Sequence, residues 1–338
     1  MALSTAGDRG PEAPRPALVA AGGLLPHPAG RMSEQTFSVT ADESHERLDV
    51  ILSRRLSISR AQTRKLLEGG CVALDGIEVG RSVKGVALEA GAEITVRDFV
   101  HPSDRQAIPE PDAPLTILAE GPGWLAVDKP AGSPVHPLEP DETGTVLNAL
   151  LARRPEIQGV GEGGLRSGVL HRLDVDTSGA LLFATHADAF VQLREAFASH
   201  AIEKTYRALV AGSPDDEGRL DLRLLVAQHR PALVKVAARH GGRATRMRYR
   251  VVEHFARTSL VEVALETGFL HQIRVGFAHL GHPVLGDATY GGDVSNAAPR
   301  QMLHCARLVY DAGSDVVTAD SPDPADFEAA VAAQRSRA

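Results

Sequence analysis

The sequence is poor in cysteine and aromatic residues and has no long apolar run, and each shortage excludes a class of protein. Its two cysteines, Cys71 and Cys305, cannot form a disulfide framework and fit a reducing compartment, so we expect a cytoplasmic location. Aromatic residues make up 4% of the 338 residues, which predicts an aliphatic core. No run of about 18 apolar residues occurs, so neither a transmembrane helix nor a membrane partner is expected.

The composition is that of a folded protein with more than one domain. Hydrophobic residues make up 43% and charged residues 23%, which excludes a mainly disordered or coiled-coil chain. At roughly 150 residues per domain, this length predicts about two domains. Residues 1–35 show no folding pattern and are expected to form a disordered tail, and Met32 is an alternative start to Met1.

A compact unit is predicted for residues 36–99, and its first half consists of two short helices. Apolar residues recur at helical spacing from Glu46 to Leu56. Ser59 is a typical N-cap and Gly69 a typical end for the second helix.

The second half of this unit is predicted to contain strands. The pair Asp75-Gly76 between two short apolar runs predicts a two-residue hairpin turn, and a further strand is expected from Glu93 to Arg97. Four prolines then break every periodicity across residues 100–114, which indicates a linker.

Strands outnumber helices in residues 115–330, which we assign to a larger second domain. The two do not alternate strictly, so we expect an α+β domain with a mixed sheet and not a doubly wound parallel one. The predicted strands are Leu115 to Ala119, Trp124 to Val127, Ala180 to Ala184, Glu203 to Val210, Arg246 to Glu253, Leu260 to Glu266 and Leu303 to Tyr310. The predicted helices are Thr145 to Arg154, Ala187 to Ser199 and Leu270 to Leu280. Residues 331–338 are expected to form a C-terminal tail.

Charge is unevenly distributed along the chain. With 36 Lys and Arg against 43 Asp and Glu, the net charge of -7 by itself argues against a nucleic-acid partner. Basic residues nevertheless gather in two runs, from His45 to Lys65 and from Val226 to Arg250. The candidate RNA-binding residues of the first run are Arg47, Arg54, Arg55, Arg60, Arg64 and Lys65. One basic face on the folded protein would explain this segregation, and solvated helix and strand faces explain it equally well.

A first polar cluster, HRLDVDTSG, extends from His171 to Gly179 between apolar segments. It places charges of both signs and two hydroxyls where burial is costly unless the groups are paired or functional. A turn in which Asp176, Thr177 and Ser178 cap the backbone explains the cluster equally well.

Two further clusters contain candidate functional residues. The segment ETGFLHQIRVGFAHLGHPVLGD combines a helix with an apolar face and Arg274, and an arginine so placed usually needs a carboxylate partner. The segment EKTYRALV places Tyr206 on a strand near Lys204.

Several potential metal ligands also lie near one another in sequence. They are His271, His279, His282, His304 and Cys305. Their spacing matches no familiar zinc pattern. A metal-dependent hydrolase is therefore a weaker alternative, and no metal is expected.

Five segments occur in order along the second domain: DKPAGSPVHP, HRLDVDTSG, KTYRALV, TGFLHQIRV with GHPVLGD, and LHCARL. In sequence, order and approximate spacing they resemble the RluA-type pseudouridine synthases that act on the large ribosomal subunit. The resemblance covers residues 115–310 and implies a catalytic domain with a mixed, mainly antiparallel sheet. Residues 45–98 resemble the S4-like RNA-binding domain that often precedes it.

The resemblance also implies roles for individual residues. Asp174 matches the family's catalytic aspartate. Tyr206 matches the aromatic residue that packs on the target base and assists removal of the C5 proton. Arg274 matches the basic residue that pairs with the aspartate.

The neighbouring residues Arg172, Lys204 and Gln272 are expected to support these three. The sequence departs from the family pattern at Val175, Phe269 and Gly276, where Lys, Arg and His are common. These departures bear on which RNA is recognised more than on the chemistry.

The expected reaction suits these residue types. Breaking the bond between base and C1′ and rejoining the base through C5 changes no oxidation state and loses no group, so no cofactor is expected. A flipped uridine needs an aromatic face and a basic rim, and an enclosed carboxylate needs a cation beside it. The sequence leaves open whether Asp174 acts at C1′, C6 or C2′.

We therefore expect an RNA pseudouridine synthase whose partner is large-subunit ribosomal RNA. Transfer RNA is the alternative substrate. A non-catalytic RNA-binding assembly factor is the alternative from another class of protein.

Overall fold

The computed structural model describes residues 33–238, 241–295, 297–311 and 316–336, which form two β-sheets with flanking helices. The helices are Leu48–Arg55 (α1), Arg60–Glu68 (α2), Val146–Arg153 (α3), Ala187–Ala198 (α4), Gln272–His279 (α5) and Ala325–Arg335 (α6). The first strands are Ser33–Ser38 (β1), Val72–Leu74 (β2), Ile77–Glu78 (β3), Glu93–Phe99 (β4), Thr116–Gly121 (β5), Trp124–Lys129 (β6) and Ser178–Ala184 (β7). The others are Glu203–Ala211 (β8), Glu217–His229 (β9), Ala232–Val236 (β10), Arg243–His254 (β11), Thr258–Leu265 (β12), Leu303–Asp311 (β13) and Val316–Asp320 (β14).

Residues 33–99 form a small unit with its own core. Its sheet has the strand order β1-β4-β2-β3, and all its pairs are antiparallel. The helices α1 and α2 cover the sheet with apolar side chains such as Leu52 and Leu67, which pack in one cluster with Ile94 and Val96 of β4. The burial of this cluster drives folding of the unit.

The predicted helix cap, helix end and hairpin turn in this unit are confirmed. The Ser59 side chain accepts a hydrogen bond from the Gln62 backbone N–H, and α2 ends before Gly69. Asp75 and Gly76 both adopt positive φ and join β2 to β3, as a tight hairpin turn requires.

The second sheet has ten strands and forms the body of the larger unit. Its order is β10-β9-β11-β12-β8-β13-β7-β6-β5, with β14 paired to β13. Every pair is antiparallel except β13 with β7, which are parallel through His304 and Ser178. The predicted α+β class with a mixed, mainly antiparallel sheet is therefore confirmed.

Gly179 of the HRLDVDTSG cluster lies on β7 directly opposite Cys305 of the paired strand β13. It has φ +116°, and a Cβ atom there would lie 2.2 Å from the carbonyl oxygen of Cys305. Only glycine fits this contact, because any side chain would push β13 away from the cluster.

The two ends of the described chain differ from the predicted boundaries. Strand β1 begins at Ser33, inside the segment expected to be a tail, while residues 1–32 lie outside the described residues. Helix α6 runs to Arg335, past residue 330, because Phe327 and Val331 are buried in a hydrophobic cluster. Of the predicted C-terminal tail, residues 337–338 lie outside the described residues.

The segment 100–114 contains no strand or α-helix, but it is packed against the larger unit. Ala107 is buried, and the Glu110 backbone N–H donates to the Asn148 carbonyl at 3.0 Å. The Asn148 side chain in turn donates to the Ile108 carbonyl at 2.7 Å. The connection is therefore fastened to α3 along part of its length.

Helices of the described residues are too short or too polar to cross a membrane.

Candidate active site

Asp174, Tyr206 and Arg274 all line a single cavity of about 970 Å³. Asp174 lies in the loop before β7, Tyr206 lies on β8, and Arg274 lies in the first turn of α5. The fold thus brings together three residues that are far apart in sequence.

Arg274 lies between two carboxylates. Its Nη1 donates to Oδ2 of Asp174 at 2.9 Å, and its Nε and Nη2 donate to the two carboxylate oxygens of Asp287 at 2.6 and 2.8 Å. Arg274 and Asp287 are buried, whereas the Asp174 side chain is 19% exposed to the cavity. Burial alone would lower the pKa of Arg274, but the two carboxylates outweigh it and raise that pKa above its usual value. The guanidinium therefore stays charged and holds Asp174 in a fixed position.

Asp287 was not among the predicted site residues, although it is the last residue of the segment GHPVLGD. The available signal was the requirement of a buried arginine for a carboxylate. Sequence spacing alone did not show which carboxylate meets Arg274.

The backbone of the Asp174 loop is held by two basic side chains. Lys129, fully buried at the end of β6, donates to the carbonyl oxygens of Val175 at 2.7 Å and Thr177 at 2.9 Å. Arg300 donates to the carbonyl oxygen of Asp176 at 3.0 Å. Three consecutive carbonyl groups are thus satisfied by side chains from distant segments, which fixes the shape of the loop.

Lys129 also bonds the carbonyl oxygen of Pro130 at 2.9 Å. Burial lowers the pKa of Lys129 to about 7, and the charges of Asp176 and Asp174 oppose this effect. Its three carbonyl acceptors match the three protons of an ammonium group.

Tyr206 is buried, with its hydroxyl beside Cys305 on the neighbouring strand β13. Burial raises the pKa of Tyr206 well above its usual value, and the Cys305 side chain and the charge of Asp174 add to this effect. The hydroxyl therefore stays protonated near neutral pH.

The three residues predicted to support the site lie in different environments. Lys204 is buried and donates to the Ile202 carbonyl at 3.0 Å, and burial lowers its pKa. Gln272 donates to the Arg246 carbonyl at 3.0 Å and so braces the turn before α5. Arg172 is exposed at the cavity rim.

His171 opens the HRLDVDTSG cluster, and its role in the structure is to support β7. Its Nε2 accepts a hydrogen bond from the Leu182 backbone N–H at 3.0 Å, and its ring stacks on Phe197. Burial lowers the pKa of His171 to about 3, so the ring is neutral.

The histidines considered as metal ligands lie in separate environments. The His304 ring contacts Ser178 Oγ at 3.0 Å and the Ser321 carbonyl at 3.1 Å, and His282 Nδ1 lies 2.8 Å from the Ala211 carbonyl. Within the described ranges, no three His, Cys, Asp or Glu side chains converge as a metal site would require.

Three of the six candidate RNA-binding residues pair with carboxylates of the small unit. Glu43 bonds Arg54 at 2.9 Å and Arg55 at 2.8 Å, and Arg47 pairs with Asp49 at 2.9 Å. The hydrogen bond from Arg55 holds the pKa of Glu43 well below its usual value. These arginines help to stabilise the unit, so less of their charge is available to a partner.

The other three candidate RNA-binding residues lie on α2. Lys65 pairs with Glu139 of the larger unit at 2.6 Å, which joins the two units beside the cavity. Arg60 and Arg64 are exposed and, among the residues that the structure describes, have no carboxylate partner.

The second basic run spans the end of β9, all of β10 and part of β11. On β11, Arg248 pairs with Glu266 at 2.8 Å, whereas Arg243 lines the cavity. Arg239 lies outside the described residues. Part of this run is therefore neutralised within the sheet.

Known proteins resemble this chain over most of its length. Residues 123–279 match the family described as RNA pseudouridylate synthase. An uncharacterized RNA pseudouridine synthase of Mycobacterium bovis is 37% identical over 309 residues, which cover 89% of this chain and 98% of the relative. The ribosomal large subunit pseudouridine synthase D of Nitrosomonas europaea is 32% identical, with 90% of this chain and 89% of the relative covered.

Solved structures agree with these relatives. The human RNA pseudouridylate synthase domain containing 1 has a TM-score of 0.51 and 26% identity, and the match covers 64% of this chain and 86% of that one. The fold is thus that of a pseudouridylate synthase domain. The chain belongs to the RluA-type RNA pseudouridine synthases, which are isomerases that convert uridine in RNA to pseudouridine.

Proposed function

We propose that Asp174 is the catalytic aspartate of this enzyme, with Tyr206 and Arg274 as its partners, and that large-subunit ribosomal RNA is the substrate. The observation that carries the catalytic assignment is the 2.9 Å contact between Arg274 and Asp174 inside the cavity that Tyr206 also lines. A carboxylate that is both partly exposed and paired with a buried cation is held in position while one of its oxygens faces the cavity.

The two oxygens of Asp174 have different surroundings. Oδ2 accepts the hydrogen bond from Arg274, whereas no described residue donates to Oδ1. Oδ1 is thus the oxygen available to the nucleotide, at C1′ or C6 as a nucleophile or at C2′ as a base. In the reaction the N1–C1′ bond breaks, the C5–C1′ bond forms, C5 loses its proton and N1 gains one.

Tyr206 serves this reaction best as a stacking partner for the base. Its raised pKa keeps the hydroxyl protonated, so a phenolate that removes the C5 proton would be scarce near neutral pH. The ring, in contrast, supplies the flat apolar surface on which an unstacked base packs.

The choice of RNA rests on the relatives. The Nitrosomonas protein is named for the large ribosomal subunit, and so is a Xanthomonas campestris relative that is 33% identical. We therefore assign large-subunit ribosomal RNA as the substrate of this chain. Modification of transfer RNA instead would replace this assignment.

The test is pseudouridine mapping of total ribosomal and transfer RNA from cells that carry the intact gene or Asp174→Asn. We expect one or more uridines of large-subunit RNA to be modified with the intact protein only. Loss of sites in transfer RNA would reassign the substrate. Identical maps would overturn the catalytic role of Asp174.

Asp112→Asn is the matched control. Asp112 is exposed in the connecting segment, away from the cavity lining. The same loss of charge there should leave the map unchanged. Purified Asp174→Asn should unfold at the temperature of the intact protein within about 3 °C, which separates lost chemistry from lost folding.

A further inference from the structure

Tyr290, three residues after Asp287, contacts three parts of the molecule near the cavity. The Arg274 guanidinium lies 5.1 Å from the centre of its ring. Its hydroxyl lies 2.8 Å from Nδ1 of His271 and accepts a hydrogen bond from the Val234 backbone N–H at 2.9 Å. Tyr290 therefore links strand β10 to the first turn of α5.

The direction of these hydrogen bonds follows from the donors. The Val234 N–H can only donate, so the Tyr290 oxygen accepts there and has one proton left to give. Among the described residues, Nδ1 of His271 is the acceptor within reach of that proton. A neutral imidazole that accepts at Nδ1 carries its own proton on Nε2.

The Nε2 atom of His271 faces Asp174. It lies 3.9 Å from Oδ2, the oxygen that Arg274 already holds, and this distance is somewhat longer than a hydrogen bond. His271 has a left-handed backbone with φ 54°, a costly conformation for a residue other than glycine. Residues held in such conformations cluster at functional sites.

The groups that face His271 are Asp174, Arg274, Asp287 and Tyr290. Burial lowers the pKa of the ring, Arg274 adds to this effect, and the two carboxylates oppose it. The neutral form is therefore the relevant one near pH 7.

We propose that Tyr290 and His271 are positioning residues: Tyr290 fixes His271 as the Nε2-protonated tautomer, and the Nε2–H group supports Oδ2 of Asp174 so that Oδ1 faces the nucleotide. This proposal rests on the role of Asp174 given above. No proton is transferred and no covalent bond changes, because the pair acts through geometry alone. Val234 belongs to β10, so a shift of the β9–β10 hairpin would move Tyr290, then His271, and so change the support of the Asp174 carboxylate.

The first test needs no RNA. Nitrogen NMR of protein labelled at histidine reports the tautomer, and His271→Gln identifies the His271 signals among the 14 histidines. We expect the Nε2-protonated form from pH 6 to pH 8 in the intact protein, and a mixture of tautomers in Tyr290→Phe. An Nδ1-protonated ring in the intact protein would overturn the proposal, whatever the enzyme modifies.

The second test measures turnover as tritium release from RNA labelled at uridine C5, using the RNA segment identified by mapping. Tyr290→Phe keeps the ring against Arg274 and removes only the hydroxyl. We expect kcat to fall about tenfold and KM to stay within about twofold. The acid limb of the kcat profile should also move to higher pH, because Nδ1 then becomes free to take a proton. Unchanged kcat and an unchanged profile would contradict the proposal.

Tyr310→Phe on β13 is the matched control for Tyr290→Phe, and its kcat and pH profile should match those of the intact enzyme.

His271→Gln, whose amide can still donate toward Asp174, should retain more activity than His271→Leu. Equal losses in these two variants would mean that His271 only fills space. If Asp174→Asn itself stays active, the proposed function fails while the NMR result stands independently.

Discussion

Asp287 lies outside the cavity lining, yet it determines where Arg274 can lie. Two of the three hydrogen bonds from Arg274 to carboxylates go to Asp287, and both residues are buried. Asp287→Asn removes one charge from this pair and leaves the guanidinium with Asp174 alone. We expect a loss of about 3–5 kcal/mol in the free energy of unfolding, the usual cost of breaking a buried pair. Urea unfolding followed by circular dichroism measures it.

Glu253→Gln is the control for that experiment. Glu253 pairs with Arg335 at 2.6 Å, but the Glu253 side chain is 33% and the Arg335 side chain 57% exposed. Solvent screens this pair, so the expected loss is much smaller than for Asp287→Asn. Equal losses in the two variants would show that Asp287 contributes no more than a surface charge.

At the residue scale, the sequence predicted the residues that line the cavity better than those that hold them in place. Asp174, Tyr206 and Arg274 belong to short segments of recognisable composition. Lys129 also lies in such a segment, DKPAGSPVHP, but no local pattern encodes its contact with Val175, 46 positions away, or the contact of Tyr290 with Val234.

At the scale of elements, the loop before β7 depends on the lysine at the end of β6. Lys129→Met removes the donor to the Val175 and Thr177 carbonyls, and each buried carbonyl left without a partner costs about 1–3 kcal/mol. We expect faster hydrogen exchange in residues 171–178 and lower turnover. Lys84→Met, in the small unit, is the control and should leave exchange in that loop unchanged. Unchanged exchange in Lys129→Met would mean that Arg300 alone holds the loop.

The elements that could be predicted are those with a local signature. The cap at Ser59 and the turn at Asp75 and Gly76 are such cases. Strand β9 was not predicted because the most prominent feature of that region is its charge, although Leu220, Leu222 and Leu224 alternate with polar residues as in a half-buried strand.

Helix α6 was not predicted for a different reason: its alanine-rich sequence shows only a weak helical spacing of apolar residues. The parallel pairing of β13 with β7 could not be predicted at all. It joins residues more than 120 positions apart and depends on the absence of a side chain at Gly179.

At the scale of the whole molecule, the two units have separate cores, and we propose that both of them contact RNA. The larger unit supplies the cavity, and the small unit brings α2 beside it through the ion pair between Lys65 and Glu139. The overall negative charge means that non-specific attraction to RNA is weak, so local basic patches must carry the contacts.

The final prediction concerns the two exposed arginines of α2. Arg60→Gln combined with Arg64→Gln removes two charges that no described carboxylate neutralises, so RNA affinity should fall and the dependence of log Kd on log salt should flatten by roughly 1 to 2 units. Fluorescence anisotropy with the mapped RNA segment over a series of salt concentrations measures both quantities. The control combines Arg219→Gln with Arg335→Gln, which removes the same charge from residues paired with Asp221 and Glu253. If the control flattens the salt dependence as much as the α2 variant does, the small unit attracts RNA only through net charge and α2 is not a binding surface.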